Sequence, residues 1–402
     1  MAAIVERRSR PQVTVNLDDQ KDGVVNSYTT GDEINGNVTV TVSEDVMIGA
    51  LQIIFRSIGT SETTIQPPGA IINRTAATHY FLRLRHPVEN GPFPPCRTLR
   101  CGIVYSFPFT FVLPDRLLPQ AFDHETSNWV LKDAHARLLP ILGDSVFLDS
   151  QQTMPDDFAP TACRVSYIVK VSITKAASDG DSPFSSRVLA AVGKKVHIIP
   201  TVDEEPPLSV QQGSVEYRPW AETLIRKGLF RITTGQLKLF AVQPRPLVLD
   251  LRFDPVEDEP PPQLDTVCSQ LKVMTFLGML PFTDFPTNGP NEWNQMNRRT
   301  FQQMIPLLNV QVGSVLWQQT METHSPPDNS RQRPGQQKIY YTASISIPTS
   351  RPPGKSFTPT FHSCYISRIY ILKLKVSYFT LSRLRGTSSI NLPIQITAGR
   401  QA

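Results

Sequence analysis

Apolar and polar residues alternate along most of this chain, which is the period of a half-buried β-strand. In Gly31 to Val42 (GDEINGNVTVTV) one face reads Ile34, Gly36, Val38, Val40, Val42 and the other Glu33, Asn35, Asn37, Thr39, Thr41. In CRVSYIVKVSITK the inward set is Cys163, Val165, Tyr167, Val169, Val171 and Ile173, leaving Arg164, Ser166, Lys170 and Ser172 toward water. Val13, Val15 and Leu17 alternate in the same way near the start. Similar runs cover 51–56, 78–85, 104–113, 195–199, 229–240, 247–253, 267–276, 309–316, 338–347, 365–379 and 390–396. This pattern predicts about fourteen strands separated by Gly, Pro and Asn-rich turns.

Strands with one wet face bury the other by stacking as pairs of antiparallel sheets. The predicted fold class is therefore all-β: two immunoglobulin-like antiparallel β-sandwich domains in tandem. Helical spacing occurs only over Trp129 to Leu139, before Pro140, and as two turns over Trp220 to Lys227. Proline, 36 residues of 402, is nearly twice its usual ~5% share, and it disfavours long helices further. The acidic, Pro-Pro stretch at 201–208 (TVDEEPPL) reads as a solvated connector. It divides the chain into an N-terminal sandwich over 1–200 and a C-terminal one over 209–402. Residues 123–162 read as a polar, irregular insertion in the first.

A net charge of +5, from 40 Lys+Arg and 35 Asp+Glu, excludes a supercharged or fully disordered chain. The opening MAAIVERRSR puts charge where a signal peptide needs its apolar core, and no later stretch reaches the ~18 apolar residues of a membrane span. A cytoplasmic location is expected. The five cysteines are odd in number and mostly far apart, as in reduced thiols. Cys96 and Cys101 enclose four residues, wider than a C-x₂-C knuckle, and no His-rich segment supplies two further zinc ligands. No metal site and no cofactor are expected.

Signatures of catalysis are absent from the sequence: no G-x-S-x-G, P-loop, H-E-x-x-H or G-x-G-x-x-G occurs. The seven histidines are scattered singly. Asp123-His124-Glu125 flanks an imidazole with carboxylates, but neighbours in sequence point to opposite faces of a strand and rarely form a relay. Cys163 reads as strand packing rather than as a nucleophile. Asp156-Asp157, the pair a hydrolase would use, lies in a Pro-flanked loop. The chain is not expected to be an enzyme. No Lys/Arg block with interleaved aromatics marks a nucleic-acid site. The nearest group, Arg368, Lys373, Lys375, Arg383 and Arg385, reads as the cationic dressing of an edge strand.

GDEINGNVTVTV followed by LQIIFRS resembles the strand pair that opens the arrestin N-terminal domain. Tyr105 to Phe122 (YSFPFTFVLPDRLLPQAF) and CRVSYIVKVSITK are similar to the next elements of that domain. KGLFRITTGQLKLFAVQPRPLVL, YISRIYILKLKVSYF and INLPIQI resemble the opening and closing strands of the C-terminal one. The series covers most of the chain in order and is most similar to the α-arrestin-like trafficking adaptors of fungi. Pro119-Gln120-Ala121-Phe122 departs from the family's Pro-Ser-Phe, the 123–162 insertion is long, and no Pro-Pro-x-Tyr is present.

The resemblance implies a cytosolic adaptor that binds cytoplasmic segments of membrane transporters or receptors and links them to endocytic trafficking and ubiquitination. A HECT-type ubiquitin ligase would then be recruited by a route other than Pro-Pro-x-Tyr. Recruitment to the plasma membrane or endosomes by peripheral association is implied as well, with no nucleic-acid partner. Arg83, Arg85 and Lys170, on the expected wet faces, are the nominated partner-binding residues, with solvated strand positions as their ordinary role. The alternative function is a structural scaffold or coat-type subunit of the same fold without ligase recruitment.

Overall fold

The computed structural model describes residues 10–20, 26–65, 73–88, 97–143, 156–175, 187–201, 220–225, 228–233, 239–240, 247–255, 260–286, 297–322, 338–347, 355–379 and 385–398. The expected 201–208 connector lies, after Thr201, outside them. The chain forms two compact units. The first holds Met1–Thr201 together with Phe276–Thr300 and Phe361–Ser367, and the second holds Val202–Thr275, Phe301–Thr360 and Arg368–Ala402. Two short segments from the second half of the sequence thus pack with the first unit.

The first unit's strands are β1 (Gln12–Leu17), β2 (Ser27–Tyr28), β3 (Glu33–Thr41), β4 (Val46–Ile65), β5 (Asn73–His79), β6 (Arg83–His86), β7 (Thr98–Leu99), β8 (Tyr105–Val112), β9 (Cys163–Lys175) and β10 (Val188–Ile198). One sheet runs β1-β3-β8; the other runs β2-β10-β9-β4-β5, with β6 and β7 also pairing β4. All pairs are antiparallel except β2 with β10. Two sheets whose apolar faces meet make a sandwich.

The alternation in sequence becomes the core directly. On β3 and β8 the buried positions Ile34, Val38, Val40, Tyr105, Phe107, Phe109 and Phe111 recur every second residue. They meet Leu51, Ile53 and Phe55 of β4 and the Val165 to Ile173 series of β9. The Phe55 ring lies 5.7 Å from Phe111 across the layers and 5.9 Å from Tyr167 on the neighbouring strand. Phe81 meets Tyr167 edge-on at 5.6 Å. Such aromatic pairs stabilise beyond the area they bury, by about 0.5–1.5 kcal/mol each.

The insertion is less polar than its composition suggests. It contains the one α-helix among the described residues, α1 (Trp129–His135), where the sequence pattern placed it. Asn128 caps α1, its Oδ1 accepting the Leu131 N–H at 2.9 Å. Leu131, Leu138, Leu139, Ile141, Leu142 and Phe158 are all buried. The fully buried Tyr167 donates its hydroxyl to the Leu139 carbonyl. Residues 144–155 of the insertion lie outside the described residues.

The second half of the chain carries β11 (Trp220–Ile225), β12 (Gly228–Thr233), β13 (Leu239–Phe240), β14 (Leu247–Pro255), β15 (Gln263–Gly278), β16 (Arg298–Gln311), β17 (Gln318–Glu322), β18 (Lys338–Ile347), β19 (Phe361–His362), β20 (Ile366–Phe379), β21 (Arg385–Ile394) and β22 (Ile396–Thr397). Of these, β19 lies wholly in the first unit's segments, and β15, β16 and β20 begin or end in them. One sheet runs β11-β12-β14-β18-β17, and another joins β16, β15, β20 and β21. Buried Leu249, Leu251 and Phe253 of β14 and Leu372, Leu374 and Val376 of β20 line the core faces.

Three elements differ from the sequence pattern. Trp220–Ile225 is a strand, because Gly228 to Thr233 pairs with it residue for residue; hairpin pairing overrides a short helical period. The strand expected at 309–316 instead begins at Arg298 and ends at Gln311. Its alternation is obscured because β16 is the terminal strand of its sheet, which is where Pro306 can sit without removing a ladder bond. Thr78 to Arg85 is two strands, interrupted at Tyr80 to Leu82, where Phe81 and Leu82 turn into the core.

Gly36 sits between Leu17 and Phe109 in register, and a Cβ there would overlap the Asn16 carbonyl oxygen and the Phe109 ring. Gly36→Ala is expected to destabilise the first unit by about 1–3 kcal/mol, read as a lower urea midpoint. His197 is buried, its Nδ1 2.8 Å from Ser27 Oγ, and burial lowers its pKa to about 4. The neutral ring is favoured on folding, so the stability it contributes is complete above the unfolded value near 6.5 and is lost as pH falls toward 4. His197→Gln is expected to reduce the drop in thermal midpoint between pH 7.5 and 5.

Candidate functional site

On β4, Leu51, Ile53 and Phe55 point into the sandwich, so Gln52, Ile54, Arg56 and Ile58 point away from it. Register then decides what lies beside them. Ile54 is paired on one side with Arg85 of β6 and on the other with Lys170 of β9. Arg56, two residues on, is paired with Arg83 and Ile168. On β10, Lys195 lies opposite Ile168 and Gly193 opposite Lys170. Arg83, Arg56 and Lys195 thus form one row across four strands, and Arg85 and Lys170 form the next.

Directly opposed residues of a sheet have Cβ atoms about 4.5–5.5 Å apart, so the five cations occupy one continuous face. None of these register positions carries an acid. The first carboxylate on this face of β4 is Glu62, six residues or about 20 Å along the strand from Arg56 at ~3.3 Å per residue. Ile54 is buried despite its outward orientation; flanking stems of Arg85 and Lys170 cover apolar surface while holding their charges in water. Arg164, opposite Thr60, is exposed and extends the same face.

Arg83 and Arg85 are exposed and Lys170 is half-buried. Among the described residues these three form no ion pair. The Arg56 guanidinium lies 5.8 Å from the exposed Tyr80 ring, which adds an aromatic surface at the margin. Beside Arg85, a groove of about 370 Å³ is lined by the 48–51 stretch of β4, by Arg85 to Val88 and by Arg97. Arg97, in the left-handed region at φ 48°, donates from Nη1 to the Gly49 carbonyl at 2.7 Å. Among the described residues β6 is paired only to β4, leaving its other backbone edge without a strand.

The three residues nominated from sequence are therefore brought together, though Lys170 lies 85 positions beyond Arg85. Arg56 and Lys195 join them and were missed, because alternation alone puts them on a wet face without saying which strands adjoin. The second basic group is dispersed instead: Arg368 is fully buried, and Arg385 pairs with Asp265 at 2.9 Å. Lys373 and Lys375 sit on β20, an interior strand between β15 and β21 rather than an edge. Arg383 lies outside the described residues.

Residues considered for catalysis have structural roles. Asp156 Oδ1 accepts the Phe158 N–H at 2.9 Å, and Asp157 accepts those of Gly143 at 2.6 Å and Ala159 at 3.0 Å, so the pair shapes a turn. Cys163 is buried at the start of β9. His124 faces another imidazole, that of His135, rather than Asp123 or Glu125. Cys96 lies outside the described residues, and Cys101 is exposed with its thiol 3.0 Å from the Ser43 carbonyl.

No family model matches the chain, and no curated protein matches it significantly. No helix among the described residues is long and apolar enough to cross a membrane. Fold and surface chemistry therefore carry the functional reading: a β-sandwich protein with a row of cations beside a strand edge that no other described strand pairs.

Since Arg83 is exposed and forms no ion pair among the described residues, Arg83→Ala is expected to change stability by less than about 0.5 kcal/mol, and Arg85→Ala, which also uncovers Ile54, by somewhat more. Thermal unfolding of the variants checks this and separates any binding defect from a folding one.

Proposed function

We propose that this chain is an arrestin-like adaptor that grips acidic or phosphorylated cytoplasmic segments of membrane transporters or receptors. The reading is supported chiefly by the register that sets Arg56, Arg83, Arg85, Lys170 and Lys195 on one face of the first unit. Arginine forks bind carboxylate and phosphate bidentately, and such charge-assisted bonds are about twice as strong as neutral ones. The edge of β6 that no other described strand pairs lies beside the row, so an extended segment adding to that edge would lay alternate side chains against it. The groove between Arg85 and Arg97 has room for one anionic side chain.

An adaptor in this sense holds its cargo and delivers it to endocytic and ubiquitinating machinery. These 402 residues contain no Pro-Pro-x-Tyr, so a HECT-type ligase would dock by another surface. That same observation favours the second reading, a scaffold or coat-type subunit with this fold and no ligase.

Capture of synthetic acidic peptides, with and without phosphoserine, tests the proposal. Charge reversal of Arg83, Arg85 and Lys170 together is expected to weaken capture by an order of magnitude or more at low salt and by less at high salt. Unchanged capture at every ionic strength would rule out this face. Cargo capture without any co-purifying ligase would favour the scaffold.

A further inference from the structure

Away from the basic face, three segments distant in sequence bring histidine and cysteine side chains together inside the first unit. His124 follows the 3₁₀ turn Pro119–Ala121, His135 is the last residue of α1, and Cys364 lies in the turn between β19 and β20. Their ligating atoms lie within 4.8 Å of one another. Each segment is held by backbone bonds: Ser127 N–H to Thr283 O at 2.8 Å, Phe282 N–H to Cys364 O at 2.7 Å, and the α1 cap. The cluster is thus a fixed arrangement.

His124 Nε2 and His135 Nδ1 face each other at 3.2 Å. Tetrahedral zinc with nitrogens at ~2.0–2.1 Å separates two such ligands by about 3.3 Å, so the two rings already stand at coordination distance. The Phe282 backbone lies beside the His124 ring. His135 is 1% exposed, and its Nε2 is buried without a hydrogen-bond partner.

We propose that His124 Nε2, His135 Nδ1 and the Cys364 sulfur form a binding site for a zinc-type divalent cation, with solvent as the fourth ligand on the half-exposed His124 side. Binding forms one metal–sulfur and two metal–nitrogen bonds, moves the ring hydrogen held between the two facing nitrogens to the far nitrogen of its own ring, and releases the single Cys364 thiol proton to solvent. The ion clamps the insertion, through α1, to the segment Phe361–Ser367. The site goes beyond the adaptor reading and does not depend on it. It departs from the expectation from sequence of no metal site, which rested on ligand spacing along the chain.

The full-length protein, stripped with chelator, is titrated with Co²⁺ and then Zn²⁺. Expected are tetrahedral d–d bands with a thiolate-to-cobalt charge-transfer band at one equivalent, displacement by Zn²⁺, and release of one proton per ion by calorimetry in buffers of different ionisation enthalpy. Zn²⁺ should raise the thermal midpoint of the wild type. Cys364→Ser should lose the charge-transfer band, while Cys101→Ser should keep it. His124→Ala, at a half-exposed position that leaves the core intact, should weaken zinc by more than the roughly 10–100-fold of an outer-shell change. Absence of the cobalt bands in the wild type, survival of the charge-transfer band in Cys364→Ser, or unchanged zinc affinity in His124→Ala would each overturn the site.

Discussion

The pairing of β4 with β9 is the constraint on which the first unit depends. From Ala50 against Thr174 to Ser61 against Cys163 the two strands run without a slip. That register does two things at once. It turns Ile53, Phe55, Val169 and Val171 into the core, and it turns Ile54, Arg56, Ile168 and Lys170 outward. Because strand side chains alternate with a period of two, a shift by one residue would exchange the faces. Such a shift would bury Lys170 and Arg56 and expose Phe55, so the hydrophobic core itself enforces the position of the cations.

The same coupling explains how a surface can be both basic and well ordered. Like charges side by side in a sheet repel, and repulsion of this kind is tolerated only where other terms hold the strands together. Here the Phe55, Phe111, Tyr167 and Phe81 cluster lies on the reverse of the strands that carry the cations. An anionic segment laid across the row would relieve repulsion that the core already sustains. Among the described residues β6 pairs on one side only, with β4.

The His124, His135 and Cys364 cluster follows another logic. Its three members come from a loop, a helix end and a turn, and the segment 361–367 reaches them only because it packs with the first unit. No periodicity relates these positions. The basic face follows from strand register, whereas a cation at this cluster would join segments that the chain sequence separates by more than 200 residues.

Much of the architecture was legible from alternation alone, because a strand with one wet face writes its period directly into the residues. Ile34 to Val42 and Cys163 to Ile173 are buried on the faces that the pattern assigns, and α1 lies within its predicted span. Strand limits were less legible where partners rather than composition set them, as at Trp220–Ile225 and at Arg298–Gln311 with its internal Pro306. The outward positions of Arg83, Arg85 and Lys170 followed from sequence; their adjacency to Arg56 and Lys195 did not. Alternation determines which way a side chain points, since that is a local property of the pleat. Strand order, register and the meeting of His124 with Cys364 are long-range choices made by packing, and only the tertiary structure decided them.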